Sequence, residues 1–268
     1  MKLSVVTVCR NAEKCIKKTI ESVLNQTATD YEYIILDGAS SDATISIVES
    51  YRDDFLKKGI SYIWVSEPDN GIYDAMNKSL DKASGEWILF MNSGDMFYDE
   101  EVVDKLFIED NNEYDIVYGD VLITENNKFK FNAAGNMDDQ GLFSPICHQG
   151  MMTRTSTLKK YRYNKEYKLA ADYDAMIRMH KDKKKFKKIN IIVAIFEIGG
   201  ISYKNSSRYL KEMYRARNNV GIKHKEKLFL SNARLDFYLG LREICKKVMK
   251  KSFYSQIRGW YLDKYSFK

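Results

Sequence analysis

The sequence predicts an α/β protein with a mostly parallel central sheet and a C-terminal helical extension. Short β-branched apolar runs alternate with stretches whose apolar residues recur at helical spacing, the pattern of a parallel sheet covered by helices. The runs end abruptly in small polar loops that carry acids, Asp37-Gly38-Ala39-Ser40-Ser41-Asp42 and Asn92-Ser93-Gly94-Asp95. In open α/β sheets the ligand crevice lies beyond the C-terminal ends of the strands, so these acids stand where a ligand is expected. The chain has 268 residues, 30% of them charged. That is enough to bury a sizeable core and is a folded, water-soluble composition.

The elements follow in order. Leu3 to Val8 reads as a buried strand, and Arg10 to Glu13 as a turn. Cys15, Ile16, Ile20, Val23 and Leu24 lie at helical spacing. Tyr33 to Leu36 is a second buried strand. Ser41 or Asp42 is placed to cap the next helix, whose apolar face includes Ile45, Val48 and Tyr51. Ile60 to Val65 is a third strand. Ser66-Glu67-Pro68-Asp69-Asn70 is a turn-forming acidic segment leading into a helix over Tyr73 to Ala83, and Trp87 to Met91 is a strand. Beyond about residue 100 the alternation loosens. Ile116 to Ile123 reads as strand with a turn at Glu125 to Lys128, a helix starts near Ala171, Ile189 to Ile198 is strand-like, and two helical segments follow Ser206. The expected division is a catalytic domain over 1–204 and a basic helical extension over 205–268.

The net charge of +6 is unevenly spread. From Lys204 onward there are 17 Lys and Arg against 5 Asp and Glu, whereas the preceding residues carry a net −6. An acidic body is a poor nucleic-acid binder, and a basic end region suits an anionic partner. Cys9, Cys15, Cys147 and Cys245 contain no close pair, which argues against a zinc site or disulfide framework and for reduced thiols. The first residues hold too short an apolar run for a secretory signal, and no stretch approaches the length of a membrane span. A cytoplasmic protein is expected.

Ser4 to Asn11, Gln26-Thr27 through Asp37 to Thr44, Glu67 to Asn77, Asn92 to Asp95 and Ala170 to Asp174, taken in this order, resemble family 2 glycosyltransferases. These are inverting nucleotide-sugar enzymes with a Rossmann-like fold of the A type. The segment from Glu67 to Asn77 is most similar to a subgroup associated with extracellular and capsular polysaccharide assembly, of the exopolysaccharide and colanic-acid kind. The resemblance covers roughly residues 1–204 and implies a metal-dependent, hexosyltransferase-like enzyme. Its donor is a nucleotide diphosphate sugar, its acceptor a glycan or lipid-linked hydroxyl, and its cofactor Mg²⁺ or Mn²⁺.

The resemblance also implies roles. Asp37 contacts the nucleoside, with Gly38 standing where the family often has a second acid; read alone, Asp37 is a turn aspartate. Asp69 and Asn70 lie on the donor side. Asp95, the acid that remains of the family's acidic motif, holds the metal, which one carboxylate suffices to do if the diphosphate supplies other oxygens. Asn92 holds the metal, the sugar or the ribose. His148 bonds the diphosphate or the acceptor, or is structural. Asp172 matches the family's catalytic base, with Asp174 as competitor; on a helix, residues i and i+2 point about 200° apart, so one pocket takes only one of them. Gly199-Gly200-Ile201-Ser202 closes over the donor or is a plain turn.

In the basic end region Leu230, Phe237, Leu241, Ile244 and Val248 form a helical stripe flanked by Lys246, Lys247, Lys250 and Lys251. Two readings stand. The stripe lies on the anionic inner face of the cell membrane as a peripheral anchor, or it packs on protein with a solvated lysine face. Two rival functions are an inactive family member acting as an assembly partner, for which the thinned acidic motif speaks, and a nucleotidyltransferase. The latter needs a Gly-rich loop after the first strand, and Cys9 to Glu13 contains no glycine.

Overall fold

The structure, a computed structural model, describes residues 2–125, 128–135, 146–197 and 206–221. The chain divides into two compact units, Met1–Lys204 and Asn205–Lys268.

The first unit is a mixed α/β layer structure. Its elements are β1 (Leu3–Cys9), α1 (Ile16–Leu24), β2 (Tyr31–Asp37), α2 (Thr44–Ser50), α3 (Arg52–Lys57), β3 (Ser61–Ser66), α4 (Ile72–Lys82), β4 (Trp87–Phe90), β5 (Met96–Phe97), α5 (Val102–Leu106), β6 (Ile116–Glu125), β7 (Lys128–Asn132), a 3₁₀ turn (His148–Gly150), β8 (Met151–Arg154), α6 (Thr155–Tyr161), α7 (Ala171–Lys181) and β9 (Phe186–Glu197). The strands run in the order β3-β2-β1-β4-β8-β6-β9-β5, with β7 paired to β6. β1, β2, β3 and β4 are mutually parallel, as are β6 and β9. β8 lies antiparallel between β4 and β6, which leaves those two running the same way.

Every residue of β1 and β2 is buried because helices cover both faces of the sheet there. β3 alternates instead, as an edge strand does. Helix α1 turns Ile16, Thr19, Ile20 and Val23 inward; each large apolar side chain so buried contributes roughly 1.5–3 kcal/mol. Tyr33, Phe55 and Tyr62 stack into one aromatic cluster, and the Tyr33 hydroxyl meets Thr7 Oγ1 at 2.8 Å. The parallel register aligns Cys9 with Asp37 and Asp37 with Ser66, so three strands end level with one another. That alignment makes the crevice edge.

The structure refines several expectations. The helix after β2 starts from Ala43, and Asp42 caps it from one residue earlier by accepting from the Thr44 amide at 3.0 Å. Tyr51 lies between α2 and α3 rather than on the face of one helix. The strand before the Asn92 loop ends at Phe90. β5, α5, β8 and α6 were not legible as separate elements. In the second unit, α8 (Ser206–Asn219) carries an Arg208–Glu212 ion pair at 3.0 Å. The Gly199–Ser202 segment, Pro145, Cys245 and the Leu230–Val248 stripe lie outside the described residues. No helix among the described residues is long and apolar enough to cross a membrane.

Candidate active site

The Asn92–Asp95 loop leaves β4 at the crevice edge. Gly94 has φ +101°, a left-handed conformation that favours glycine. Thr19 on α1 fastens the loop: its hydroxyl accepts from the Gly94 amide at 2.9 Å and donates to the Asp95 carbonyl at 2.7 Å. The Asp95 side chain is thereby held over the sheet edge. Burial pushes its carboxyl up to about 6, against the opposing pull of His148, of a hydrogen bond from Gln149 and of Lys18. A carboxylate so disfavoured gains from a cation more than an exposed one does.

Asn92 is 7% exposed, and its Oδ1 has no hydrogen-bond partner. Its Nδ2 lies 3.1 Å from Nε2 of His148. With Nδ2 as donor, the imidazole is neutral and its proton is on Nδ1. Nδ1 faces Oδ2 of Asp172 at 3.3 Å. Burial works against the charged imidazole, but the Asp172 carboxylate outweighs it, and the His148 pKa is raised. His148 therefore spans from the Asn92 loop to helix α7.

Asp172 stands in the first turn of α7. Its Oδ1 accepts from the Tyr73 hydroxyl at 2.9 Å. Burial raises its pKa, and the bonds from His148 and Tyr73 more than reverse this, so it stays below the ordinary carboxylate range. Asp174 points elsewhere. It is 3% exposed and is held by Arg178 Nε at 2.8 Å, while the same guanidinium donates to the Tyr161 and Arg162 carbonyls at the end of α6. Of the two acids, Asp172 is the one joined to the crevice cluster.

Asp37 ends β2 as expected, but its oxygens are engaged. It accepts from the Ser40 amide at 2.8 Å, the Ser40 hydroxyl, the Ser66 hydroxyl at 2.7 Å and the Cys9 thiol at 3.6 Å. These partners fill most of a carboxylate's capacity. A Cβ on Gly38 would fall 2.3 Å from Oδ2 of Asp69. The space a side chain would take at 38 thus holds the Asp69 carboxylate, whose Oδ1 accepts from the Gly71 amide at 2.8 Å. Asn70 is exposed beside it, and its amide donates to Asp74 at 3.0 Å. The predicted residues therefore fall into two groups: Asp95, Asn92, His148 and Asp172 share one network, and Asp37 and Asp69 gather at the ends of β2 and β3.

Two participants were missed. Tyr73 sits on a helix face that reads as core, and Gln149 follows a histidine that drew the attention. The signal for Tyr73 was its i, i+4 partner Asn77. Both carry polar tips on a buried face, and Asn77 holds Tyr163 by two hydrogen bonds, at 2.8 and 2.9 Å.

Among the described residues no three His, Cys, Asp or Glu side chains converge on a metal position. The donor set still fits a hard divalent cation that takes its remaining ligands from a substrate. It offers a half-buried carboxylate of raised pKa and, in the same loop, a buried amide oxygen without a partner.

The profile of Glycosyl transferase family 2 matches residues 4–184, and the chain belongs to that family. A PGL/p-HBAD biosynthesis glycosyltransferase of Mycobacterium bovis (strain BCG / Pasteur 1173P2) is 29% identical over 204 residues, covering 74% of this chain and 78% of the relative. The putative glycosyltransferase EpsE of Bacillus subtilis (strain 168) is 25% identical over 209 residues, covering 74% and 72%. Among solved structures, S. aureus TarS 1-349 in complex with UDP-GlcNAc superposes with a TM-score of 0.68 at 18% identity, over 83% of this chain and 66% of that one. The mannosyltransferase PcManGT from Pyrobaculum calidifontis, in complex with GDP-Man and Mn2+, gives 0.66 at 12% identity, over 100% and 81%. At such identities the likeness is one of fold, the A-type Rossmann-like fold expected from the sequence.

Proposed function

We propose that this glycosyltransferase moves a sugar from a nucleotide diphosphate sugar to a hydroxyl of a growing surface glycan, with inversion at the anomeric carbon. The observation that carries this reading is the cluster at the crevice edge, where Asp95 of raised pKa shares a loop with the unpartnered Asn92 oxygen and His148 joins Asn92 to Asp172. The donor side falls to Asp37, Asp69 and Asn70. Asp95, with Asn92, would hold Mg²⁺ or Mn²⁺. Such a cation, when bound, offsets the charge that develops on the departing diphosphate.

The remaining chemistry belongs to the chain. Asp172 takes the proton of the acceptor hydroxyl as its oxygen bonds to the anomeric carbon and the bond from that carbon to the diphosphate oxygen breaks. An attack from the face opposite the leaving group inverts the centre. His148 and Tyr73 keep Asp172 ionised and ready to accept. Asp174, neutralised by Arg178, takes no part.

The acceptor class we favour is a lipid-linked glycan at the membrane surface, with the basic region after residue 204 as the contact. Each Lys or Arg near an anionic surface contributes about 1 kcal/mol. Changing Lys246, Lys247, Lys250 and Lys251 to Gln should weaken binding to anionic vesicles, most at low salt. Equal binding by both proteins would assign the lysines to a solvated face.

The test of the activity is a panel of nucleotide sugars scored for released nucleoside diphosphate, with and without Mn²⁺. Turnover of one donor, lost in Asp172→Asn, is expected. No turnover, together with no thermal shift from UDP or GDP at any metal concentration, would support an inactive assembly partner instead.

A further inference from the structure

The segment Gly71 to Asn77 is the most distinctive run of the sequence, and the reading above leaves most of it unused. The structure shows what its polar side chains do. Asp74 accepts from the Asn70 amide at 3.0 Å and from Lys165 Nζ at 2.9 Å. Asn77 grips the backbone of Tyr163 from both sides. The first turns of α4 therefore join the Asp69–Asn70 loop to the segment that precedes α7. Tyr73 stands between these two clamps. Its ring lies 5.7 Å from that of Tyr163, which meets Phe90 edge-on at 5.7 Å where β4 runs into the Asn92 loop. A ring packed in this way has little freedom, and its hydroxyl is delivered to Oδ1 of Asp172.

We propose that Tyr73 is a positioning residue for the base, and that through α4 it ties the placement of Asp172 to the Asp69–Asn70 loop on the donor side. The proposal rests on Asp172 being the base. Tyr73 holds one carboxylate oxygen and His148 faces the other, so the carboxylate plane is fixed by two elements at once. The Tyr173 amide also donates to this carboxylate, which still retains a lone pair for the incoming proton. Tyr73 reaches no substrate atom in this account. Its whole effect passes through Asp172, which separates it from a tyrosine that merely satisfies its own buried hydroxyl.

The experiment is a double-mutant cycle of Tyr73→Phe and Asp172→Asn in the full chain. UDP release from UDP-GlcNAc and GDP release from GDP-mannose, both with Mn²⁺, report turnover; UDP and GDP titrations report donor-side binding. Tyr73→Phe keeps the ring and its packing. It should lower kcat by on the order of tenfold, as loss of a hydrogen bond to a charged group does, with KM for the donor and affinity for the diphosphate within about twofold. In the Asp172→Asn background the same change should add nothing, because a residue acting only through the base has nothing left to position. Independently of turnover, amide exchange at Ala171 to Asp174 should quicken in Tyr73→Phe while that of Tyr163 does not change. An additive effect on kcat, an effect confined to KM, or unchanged exchange in the first turn of α7 would overturn the proposal. Wild-type turnover by Asp172→Asn would instead overturn the assignment of the base, which is a separate result.

Discussion

Glu32 and Asp95 are carboxylates lodged at opposite ends of the same sheet. Glu32 lies at the N-terminal end of β2, where a single oxygen accepts from the Ser4 hydroxyl at 2.6 Å, the Ser84 amide at 2.7 Å, the Ser84 hydroxyl at 2.9 Å and the Gly85 amide at 3.1 Å. Asp95 lies beyond the C-terminal end of β4, pushed up to about 6 by burial, next to an amide oxygen that nothing satisfies. At one end the chain supplies a donor for every demand the acid makes. At the other it gathers acceptors and leaves them short of positive charge. Buried polar groups in folded proteins are nearly always paired; Asn92 Oδ1 and Thr155 Oγ1 are two that have no partner, and of these Asn92 shares its loop with a carboxyl pushed up by its surroundings, the combination that a cation would complete. Asp37 stands between the two cases: it lies at the crevice edge, where Ser40, Ser66 and Cys9 hold its carboxylate in place.

The difference can be broken by substitution. The largest effect is expected at the base. Asp172→Asn keeps shape and hydrogen bonding and should lower transfer by on the order of 10²-fold or more, with diphosphate affinity near that of wild type. Asp174→Asn should spare chemistry in the folded enzyme and lower stability, because it weakens the anchor that Arg178 makes to α6. A crippled Asp174→Asn beside an active Asp172→Asn would reverse the assignment.

At the satisfied end, Glu32→Ala strands the Ser4 hydroxyl and the Ser84 and Gly85 amides without their acceptor. A loss of about 3 kcal/mol in urea unfolding is expected, with kcat of the folded fraction unchanged. If Glu32→Ala cost nothing, full satisfaction would not be a mark of structural acids.

Asp95→Asn should do the reverse, trading function for stability. Between its ordinary pKa and about 6 the folded protein binds a proton that the unfolded chain releases. Stability therefore falls as pH rises through that window, and the whole penalty is present above it. The variant carries no such penalty. Its melting temperature should exceed that of wild type above pH 6, and the gap should close toward pH 4. A wild-type advantage at pH 7 without metal would contradict the reading. The smallest effect is expected at Gly94→Ala. The added Cβ has room, since its nearest neighbour would be Cys15 at 3.8 Å, but the backbone is left-handed. A cost of about 1 kcal/mol follows, with metal response retained.

Much of this was legible in the sequence, and the exceptions have physical causes. β1, β2 and β4 announce themselves because strands buried on both faces read as unbroken apolar runs. Helical geometry sends i and i+2 to different sides, so the sequence shows that Asp172 and Asp174 do not share one pocket, while which of them faces the crevice is not legible from it. β8 was not legible: Met151-Met152-Thr153-Arg154 has neither alternation nor a β-branched run, and its place between β4 and β6 is decided by pairing partners more than 30 residues away. β5 is two residues long, too short for any period. Tyr73 was hidden for the opposite reason, since a tyrosine on a buried helical face looks like core until its hydroxyl has a destination. The engagement of Asp37 was partly hidden because two of its partners, Cys9 and Ser66, meet it only when the parallel register is set.

The central claim is that the crevice end binds a divalent cation together with a diphosphate. Calorimetric titration of UDP and of GDP into wild type and Asp95→Asn, with and without Mn²⁺ and at pH values on either side of 6, tests it most directly. Binding of at least one nucleotide by wild type should require Mn²⁺, strengthen as pH rises through about 6, release protons below that pH, and lose its metal dependence in Asp95→Asn. Nucleotide binding of equal strength with and without Mn²⁺ in both proteins would contradict the account.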